Sequence, residues 1–309
     1  MSATAAVLAE RIVRTVLKYR RTTPHNCQGQ HCPLCIAPFV APIMRSISAS
    51  EPAQFMLLAY PFKAANPSKV LGELADMAEL VSLQFLHCIC NEVRAIYDPG
   101  ACFIIGADGR AFADIIPGVG DSTVTRYAAS IKDMLSEHDL GNISFMGLDE
   151  LFPEIQCPNQ LRSRLPEQED RETLSLRARA DEEFCYQVNG ITKFMRQDLI
   201  YSRPDLSDKQ KQKLARDIAY QIIGRGDALR ALFTRRFPHA VRCSVHPQKT
   251  HSSKIGIGLV PSCDNWLTPW HAVAVERNGT FTLAKRQDAG ESGAHLVYDK
   301  GRPSHFLAA

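Results

Sequence analysis

The sequence lacks the motifs that identify several common classes of protein. It contains no Walker A sequence, no G-x-S-x-G nucleophile elbow and no H-E-x-x-H zinc motif, so nothing supports a P-loop enzyme, a serine hydrolase or a metallopeptidase. Its Gly-x-Gly pairs never complete a G-x-G-x-x-G between a strand and a helix, which leaves dinucleotide binding without support. No apolar run approaches the ~20 residues that a membrane span needs.

The sequence also has little excess charge of either sign. Its 309 residues carry a net charge of +3, which is too small to indicate nucleic acid or an anionic membrane as a partner. A chain of this length can bury a substantial core. Ten cysteines without a recognisable export signal predict reduced thiols and a cytoplasmic location.

The segment HNCQGQHCPLC, residues 25–35, concentrates three of the cysteines and two histidines. Thiolates and imidazoles bind zinc tetrahedrally, and C-x2-C is a usual half-site. A second C-x2-C pair is missing, and the candidate ligands all fall within eleven residues. We therefore assign no metal ligand. A zinc-stabilised binding module around Cys27, Cys32 and Cys35 is kept as an alternative from a different class.

Hydrophobic patterning predicts strands that alternate with helices in the first half of the chain. FMLLAYPF, residues 55–62, is typical of a buried strand. Apolar residues at helical spacing then predict a long helix from Val70 to Tyr97, ended by Pro99-Gly100. ACFIIGADGRAFADII predicts two strands joined by a turn at Asp108-Gly109.

The second half begins with a highly charged stretch, residues 161–184, that is typical of a solvated helix or a loop. Helical spacing returns over residues 207–233, and four strand-like runs follow, two of them joined by a hairpin turn at Asn278-Gly279.

These elements predict a single α/β domain. We expect a mixed, Rossmann-like central sheet covered by helices, with the late strands forming antiparallel hairpins. Residues 1–50 are predicted to form an amphipathic N-terminal helix and a cysteine-rich loop that pack on the domain, and residues 51–309 to form the α/β catalytic part.

Ionisable residues lie at the predicted strand ends and turns, where an α/β sheet binds its ligands. Several also have a purely structural explanation. Asp76 and Glu79 suit the start of a helix, and Asp108 suits a turn. The candidates are Lys63, Lys69, Asp76, Glu79, Asp108, Arg110, Arg242, Ser244, His246, Lys254 and His271.

Two short segments are more specific than the others. In RCSVHP, Arg242, Ser244 and His246 share one face of a predicted strand because side chains alternate. A cation, a hydroxyl and an imidazole on one face predict an anion or sugar-phosphate subsite. In NWLTPWHAVA, Trp270 and His271 lie where the chain enters an apolar strand.

Four blocks together resemble the isocyanide synthase family of pyoverdine and dityrosine biosynthesis. They are PFKAANPSKVLGELADMAEL, IYDPGACFIIGADGRAFADII, RCSVHP and TPWHAV, spread over residues 61–273. The resemblance implies an enzyme that joins the α-amine of tyrosine or tryptophan to ribulose 5-phosphate, whose ketone carbon becomes the isocyanide carbon. Such a reaction is redox-neutral, so no cofactor is expected.

This activity implies a site for the sugar phosphate. Arg242 and Lys254, with Lys69 or Arg110, are the expected cations at the phosphate. Ser244, which shares a strand face with Arg242, is expected to contact the same substrate.

The activity also implies groups that move protons. His246 and His271 titrate in a useful range, and Asp108 or Glu79 are their expected carboxylate partners. Lys63 is expected either to form a Schiff base with the ketone or to bind phosphate.

Trp270, as an aromatic wall, and Asp76 complete the predicted substrate-binding residues. An iron/2-oxoglutarate-dependent oxygenase acting on the product is the expected pathway partner. Formylation of the amine of tyrosine, as in a dityrosine-type pathway, is the alternative within the family.

Overall fold

Two β-sheets organise the residues described by the computed structural model, which are 3–21, 32–166, 168–261 and 267–308. The central sheet contains β1 (Ala53–Ala59), β2 (Ala101–Ala107), β3 (Ile143–Met146), β4 (Val241–Ser244) and β5 (Ile255–Gly256). Its strands lie in the order β3-β2-β1-β4-β5, and each neighbouring pair is parallel. The chain therefore builds outward from β1 in one direction and then returns to its other side, which makes the β1–β4 junction a topological switch point.

The second sheet contains the late strands β6 (Val273–Arg277), β7 (Thr280–Ala284), β8 (His295–Asp299) and β9 (Arg302–Leu307). Two antiparallel hairpins, β6–β7 and β8–β9, join through a parallel pairing of β6 with β9. The hairpin predicted at Asn278-Gly279 is confirmed, and both turn residues have the positive φ that such a turn requires.

Helices flank the sheets over the described part of the chain. The longer ones are α1 (Ala3–Leu17), α2 (Pro33–Ala49), α3 (Met77–Arg94), α5 (Asp121–Glu137), α8 (Arg171–Ala180), α9 (Glu182–Ser202) and α10 (Asp208–Arg236). The shorter ones are α4 (Gly109–Phe112), α6 (Leu148–Leu151), α7 (Pro158–Arg162) and α11 (Arg286–Glu291). None of the described helices is long and apolar enough to cross a membrane.

The predicted N-terminal amphipathic helix is confirmed as α1. Ile12, Val13 and Val16 are fully buried, and they pack in the same hydrophobic cluster as Phe55 of β1 and Phe103 of β2. The division of the chain at residue 50 stays a prediction.

The long helix predicted from Val70 begins at Met77 instead. Asp76 caps it: its Oδ1 accepts a hydrogen bond from the backbone N–H of Ala78, and Glu79 Oε2 accepts one from the N–H of Asp76. This reciprocal capping box stops the helix from extending backwards. Gly100, with φ of 72°, then turns the chain into β2.

The hairpin predicted at Asp108-Gly109 is wrong. β2 pairs with β1 and β3 in parallel, and Asp108 ends it before the short helix α4. An Asp-Gly pair favours any tight change of direction, and here the following chain turns into a helix. The α/β class, the helix-covered central sheet and the late hairpins are confirmed. Mixed pairing was predicted for the central sheet, but that sheet is parallel, and the mixture of parallel and antiparallel pairs occurs in the second sheet.

We predict that Gly109→Ala destabilises the fold strongly. A Cβ at Gly109 would lie 2.0 Å from the carbonyl oxygen of Pro61, so the end of β1 and the start of α4 would have to separate. We expect a loss of about 3 kcal/mol or more in urea unfolding. The control is Gly190→Ala in α9, where a Cβ meets nothing within 4 Å and the helix should gain up to about 1 kcal/mol. Equal stability of the two variants would contradict this close packing.

Candidate active site

The carboxyl ends of β1, β2 and β4 carry most of the predicted site residues. Lys63 follows β1, Asp108 follows β2, and His246 follows β4. Because β1 and β4 meet at the switch point, their following loops open a crevice at this edge of the sheet. Tyr60 marks the bend out of β1 with a φ of 57°, a left-handed conformation that costs energy for a non-glycine residue and is common at functional sites.

Lys63, Asp76 and Glu79 form a buried ionic cluster below this crevice. The Lys63 Nζ lies 2.7 Å from Glu79 Oε2 and 2.9 Å from Asp76 Oδ2, and its side chain has no exposed area. The ammonium also donates a hydrogen bond of 3.1 Å to the carbonyl oxygen of Pro269. Three protein oxygens therefore lie within 3.1 Å of the ammonium and compensate its buried charge.

Protonation in this cluster is shifted by burial. Burial raises the pKa of Glu79 to about 7, although Lys63 opposes that shift. The pKa of Lys63 is raised by the two carboxylates, which outweigh the opposing effect of burial. Tyr127 donates a hydrogen bond of 3.0 Å to Glu79 Oε1. The two oxygens of Glu79 therefore contact one charged group, Lys63, and one neutral donor, Tyr127.

The segment with Trp270 and His271 packs directly on the loop after β1. A 3-10 turn, Pro269–His271, is held there because the N–H of Ala64 donates to the carbonyl oxygen of Trp270 at 2.9 Å. Trp270 is 5% exposed and its ring packs on Tyr60 at 5.0 Å. The described geometry therefore makes Trp270 part of the wall beneath the crevice. Trp266 lies outside the described residues.

His271 faces a second group of side chains, contributed by α9. Its ring lies 4.4 Å from the ring of Phe194, and the Lys69 ammonium lies 3.6 Å from that same ring. Lys69 also forms an ion pair of 2.7 Å with Asp198. The Nδ1 of His271 lies 3.0 Å from Thr268 Oγ1.

The imidazole of His271 is held neutral. Burial, followed by the positive charges of Lys69 and Lys63, lowers its pKa well below the ordinary value. His246 lies near enough to lower it further. A neutral ring anchored through Nδ1 leaves Nε2 as the nitrogen that can exchange a proton with a substrate.

Asp108 is the carboxyl group best suited to proton transfer. Burial raises its pKa to about 7, and its Oδ1 is buried without a hydrogen-bond partner among the described residues. An unpartnered buried oxygen is costly, and a carboxyl with a pKa near neutrality can both donate and accept a proton. Both features mark Asp108 as a functional candidate.

Three cations converge on the other side of the switch point. Arg242 of β4 and Lys254, just before β5, each have a lowered pKa, caused first by burial and then by the charge of Arg230 on α10. Asp227, which pairs with Arg230, is the carboxylate that acts on both groups. The cluster therefore carries more positive charge than its one carboxylate neutralises.

His246 lies next to these cations. Its side chain keeps exposed area, and its pKa is lowered first by desolvation and then by the charges of Arg21 and Lys254. Its backbone N–H donates to Ser244 Oγ. Burial alternates along β4, which confirms that Arg242 and Ser244 share a face, whereas His246 lies beyond the strand.

One predicted residue is directed elsewhere. Arg110 is buried in α4 and forms ion pairs with Asp121 at 3.0 Å and with Asp149 at 3.2 Å, and it also donates to Thr125. Its charge is fully used in holding α4 to α5 and α6.

His25, Cys27 and His31 lie outside the described residues.

Sequence patterns missed four residues of this region. Phe194 and Asp198 lie on α9, and Arg230 lies on α10. Arg21, buried with its Nη2 unpartnered among the described residues, reaches Val245 from the N-terminal region. These residues lack a local motif, because each joins the site through contacts with strands or loops distant in sequence.

Comparison with known proteins identifies the family of this chain. The sequence profile of the pyoverdine/dityrosine biosynthesis protein family matches residues 43–297. An L-tryptophan isonitrile synthase from Fischerella ambigua is 35% identical over 97% of this chain and 92% of its own. An L-tyrosine isonitrile synthase from Pseudomonas aeruginosa is 36% identical over 97% of this chain and 94% of its own. The crystal structure of PvcA from Pseudomonas aeruginosa superposes with a TM-score of 0.89 at 35% identity, covering 98% of this chain and all of that one.

The chain belongs to the pyoverdine/dityrosine biosynthesis family. It is an enzyme of the isocyanide synthase type that these full-length relatives share.

We predict that Lys63→Met destabilises the protein severely. The change leaves two carboxylates buried without their cation, which typically costs about 3–5 kcal/mol. Urea unfolding measures the loss. The control is Lys132→Met, which removes a half-exposed pair with Glu150 and should cost less than about 1 kcal/mol. A Lys63 variant as stable as the control would show that the cluster does not hold the fold.

We predict that Asp108→Asn makes the protein more stable at high pH. Because the folded pKa of about 7 exceeds the ordinary 3.8, the carboxyl favours folding below about pH 4, and this contribution is lost as the pH rises through 7. The variant should melt roughly 2–4 °C above the wild type at pH 8 and show no such gain at pH 4. The exposed Asp133 provides the control Asp133→Asn, whose melting temperature should differ from that of the wild type by the same amount at pH 4 and pH 8. The same pH-independent difference for Asp108→Asn would argue against a buried carboxyl.

Proposed function

We propose that the enzyme condenses the α-amine of L-tryptophan or L-tyrosine with ribulose 5-phosphate and installs an isocyanide group on the amino acid. The observation that carries the proposal is the under-neutralised cation cluster at the switch point, with His246 next to it and His271 near His246. Relatives named for tryptophan and for tyrosine both match this chain over most of its length, so we propose both amino acids as candidate substrates.

The phosphate is assigned to Arg242 and Lys254, with Arg230 as a third cation. Burial, followed by the repulsion of neighbouring cations, lowers the pKa of Arg242 and of Lys254, and a phosphate dianion would relieve that repulsion. Arg110 and Lys69, the other two predicted phosphate ligands, are less suited because carboxylates already neutralise them.

Proton transfer is assigned to Asp108, His246 and His271. Forming an imine requires loss of water from the ketone carbon, and the later carbon–carbon cleavages require protons to leave hydroxyl groups and return to carbon. The pKa of Asp108 is raised to about 7 by burial, and both imidazoles have lowered pKa values, which favour the neutral ring with one nitrogen open to accept a proton. These steps need no net oxidation or reduction.

The amino acid side chain is assigned to the surface around Phe194. That ring is half-buried and contacts the His271 ring at 4.4 Å, and aromatic rings pair favourably at such separations. Trp270 supports this surface through the His271 ring, which lies 6.0 Å from its own. An iron/2-oxoglutarate-dependent oxygenase is the proposed next enzyme on the product.

Lys63 is assigned to the support of the site. Both carboxylates of the cluster hold its ammonium, and its side chain is wholly buried, so a Schiff base would require the ion pairs to break. Borohydride treatment in the presence of ribulose 5-phosphate should therefore leave Lys63 unmodified.

The test is product formation from ribulose 5-phosphate labelled with carbon-13 at the ketone carbon. Each aromatic amino acid is incubated separately with the purified enzyme, and the isocyanide is sought by mass and by its infrared stretch. The label should appear in the isocyanide carbon. Asp108→Asn should lose activity while Asp133→Asn keeps it. An N-formyl product, or an unlabelled isocyanide, would overturn the proposal.

We predict that Arg242→Ala weakens binding of ribulose 5-phosphate. Loss of a charge-assisted contact of about 1.5–3 kcal/mol should raise the KM roughly 10- to 100-fold. The kcat should stay near normal, because phosphate is held equally in the ground and transition states. Arg235→Ala, at the exposed end of α10, is the control. An unchanged KM would remove Arg242 from the phosphate site.

A further inference from the structure

Three side chains of the types that bind metal ions lie close together, apart from the groups assigned above. The thiol sulfurs of Cys32 and Cys35 and a ring nitrogen of His251 all lie within 4.8 Å of one another. The two cysteines come from the C-x2-C segment before and within α2. His251 comes from the loop between β4 and β5, more than two hundred residues further along the chain.

The geometry of this cluster is close to that of a tetrahedral zinc shell. Bond lengths of about 2.3 Å to sulfur and about 2.0 Å to nitrogen place neighbouring ligands about 3.5 Å apart. The Cys32 Sγ lies 3.4 Å from His251 Nε2. Neither cysteine forms a disulfide.

The backbone conformation at the start of α2 and at His251 brings these three side chains together. Cys32 precedes the first turn of α2, with Pro33 following it, and the N–H of Cys35 donates to the carbonyl oxygen of Cys32 at 3.0 Å. This turn places both sulfurs on one side of the helix start. His251 is held in a left-handed conformation, with φ of 62°, a strained arrangement for a non-glycine residue that needs a compensating interaction.

The surroundings of the cluster are basic. A small cavity of about 20 Å³ beside the cluster is lined by Cys35 and His251 and by four cationic residues, which are Arg20, Arg21, Lys249 and Lys254. Of these, Lys249 forms an exposed ion pair of 2.6 Å with Glu183. Two thiolates and Zn²⁺ have no net charge together, so the ion adds no repulsion to this basic environment.

We propose that Cys32, Cys35 and His251 bind a structural zinc ion that fastens the loop between β4 and β5 to the start of α2. Soft thiolate ligands with an imidazole select zinc over the hard cations Mg²⁺ and Ca²⁺. A water molecule can complete the tetrahedron as the fourth ligand. The ion would fix the loop that leads from His246 to Lys254, and so act on the proposed substrate site from behind.

The test begins with metal content. The full chain, produced without a polyhistidine tag, is analysed by elemental mass spectrometry, and about one zinc per chain is expected. His251→Ala and Cys35→Ser should lose most of this zinc, whereas His295→Ala and Cys157→Ser, at exposed positions away from the cluster, should keep it. Because His251 is exposed, its variant should fold even where the buried cysteine variant does not.

A second measurement reports the ligands directly. Cobalt exchanged into the wild-type protein should show the intense visible bands of a tetrahedral ion and a thiolate-to-metal charge-transfer band, and His251→Ala should weaken them. The zinc-loaded protein should melt higher than the chelated one, because an ion that binds only the folded state stabilises it.

Three outcomes would overturn the proposal. They are a protein that binds no zinc after reduction and reconstitution, zinc retained in full by His251→Ala, and an intact mass showing that the two cysteine hydrogens are lost to a disulfide. The readouts are independent of catalysis, so failure of the proposed isocyanide synthesis would leave them unchanged. A cobalt enzyme with normal kcat would place the ion in a structural role.

Discussion

The buried ion cluster around Lys63 is the interaction on which the rest of the site depends. Its ammonium joins the loop after β1, the first turn of α3 through Asp76 and Glu79, and the turn before β6 through Pro269. Charges this deeply buried are stable only as a complete set. The cluster therefore fixes three chain segments together, and one of them, the Pro269–His271 turn, carries His271.

The charged residues of the region divide into two kinds. Lys63, Lys69 and Arg110 are matched by carboxylates at distances of 2.7–3.2 Å, and their charge is used in holding the fold. Arg242 and Lys254 are matched only in part, and they repel each other. Sequence cannot separate these kinds, because each carboxylate partner approaches from another element. Charge left unneutralised by the protein is what a phosphate can use.

The sequence predicted elements whose causes are local. The Asn278-Gly279 hairpin and the amphipathic α1 follow from turn chemistry and periodicity. The Asp108-Gly109 hairpin failed because the same dipeptide also ends a parallel strand. Phe194 and Arg230 were missed because their roles depend on how α9 and α10 pack. The shared strand face of Arg242 and Ser244 was foreseen from alternation alone.

The position of β1 at the middle of the central sheet has a consequence for synthesis of the chain. Phe55 pairs with Val241, so about 190 residues must follow it before the sheet can close, and at ribosomal rates this takes roughly 10–40 s. Throughout that interval one edge of an apolar strand lacks its neighbour. Slow, long-range pairing of this kind exposes a nascent chain to aggregation, so expression at low temperature or with added chaperones should favour folded protein.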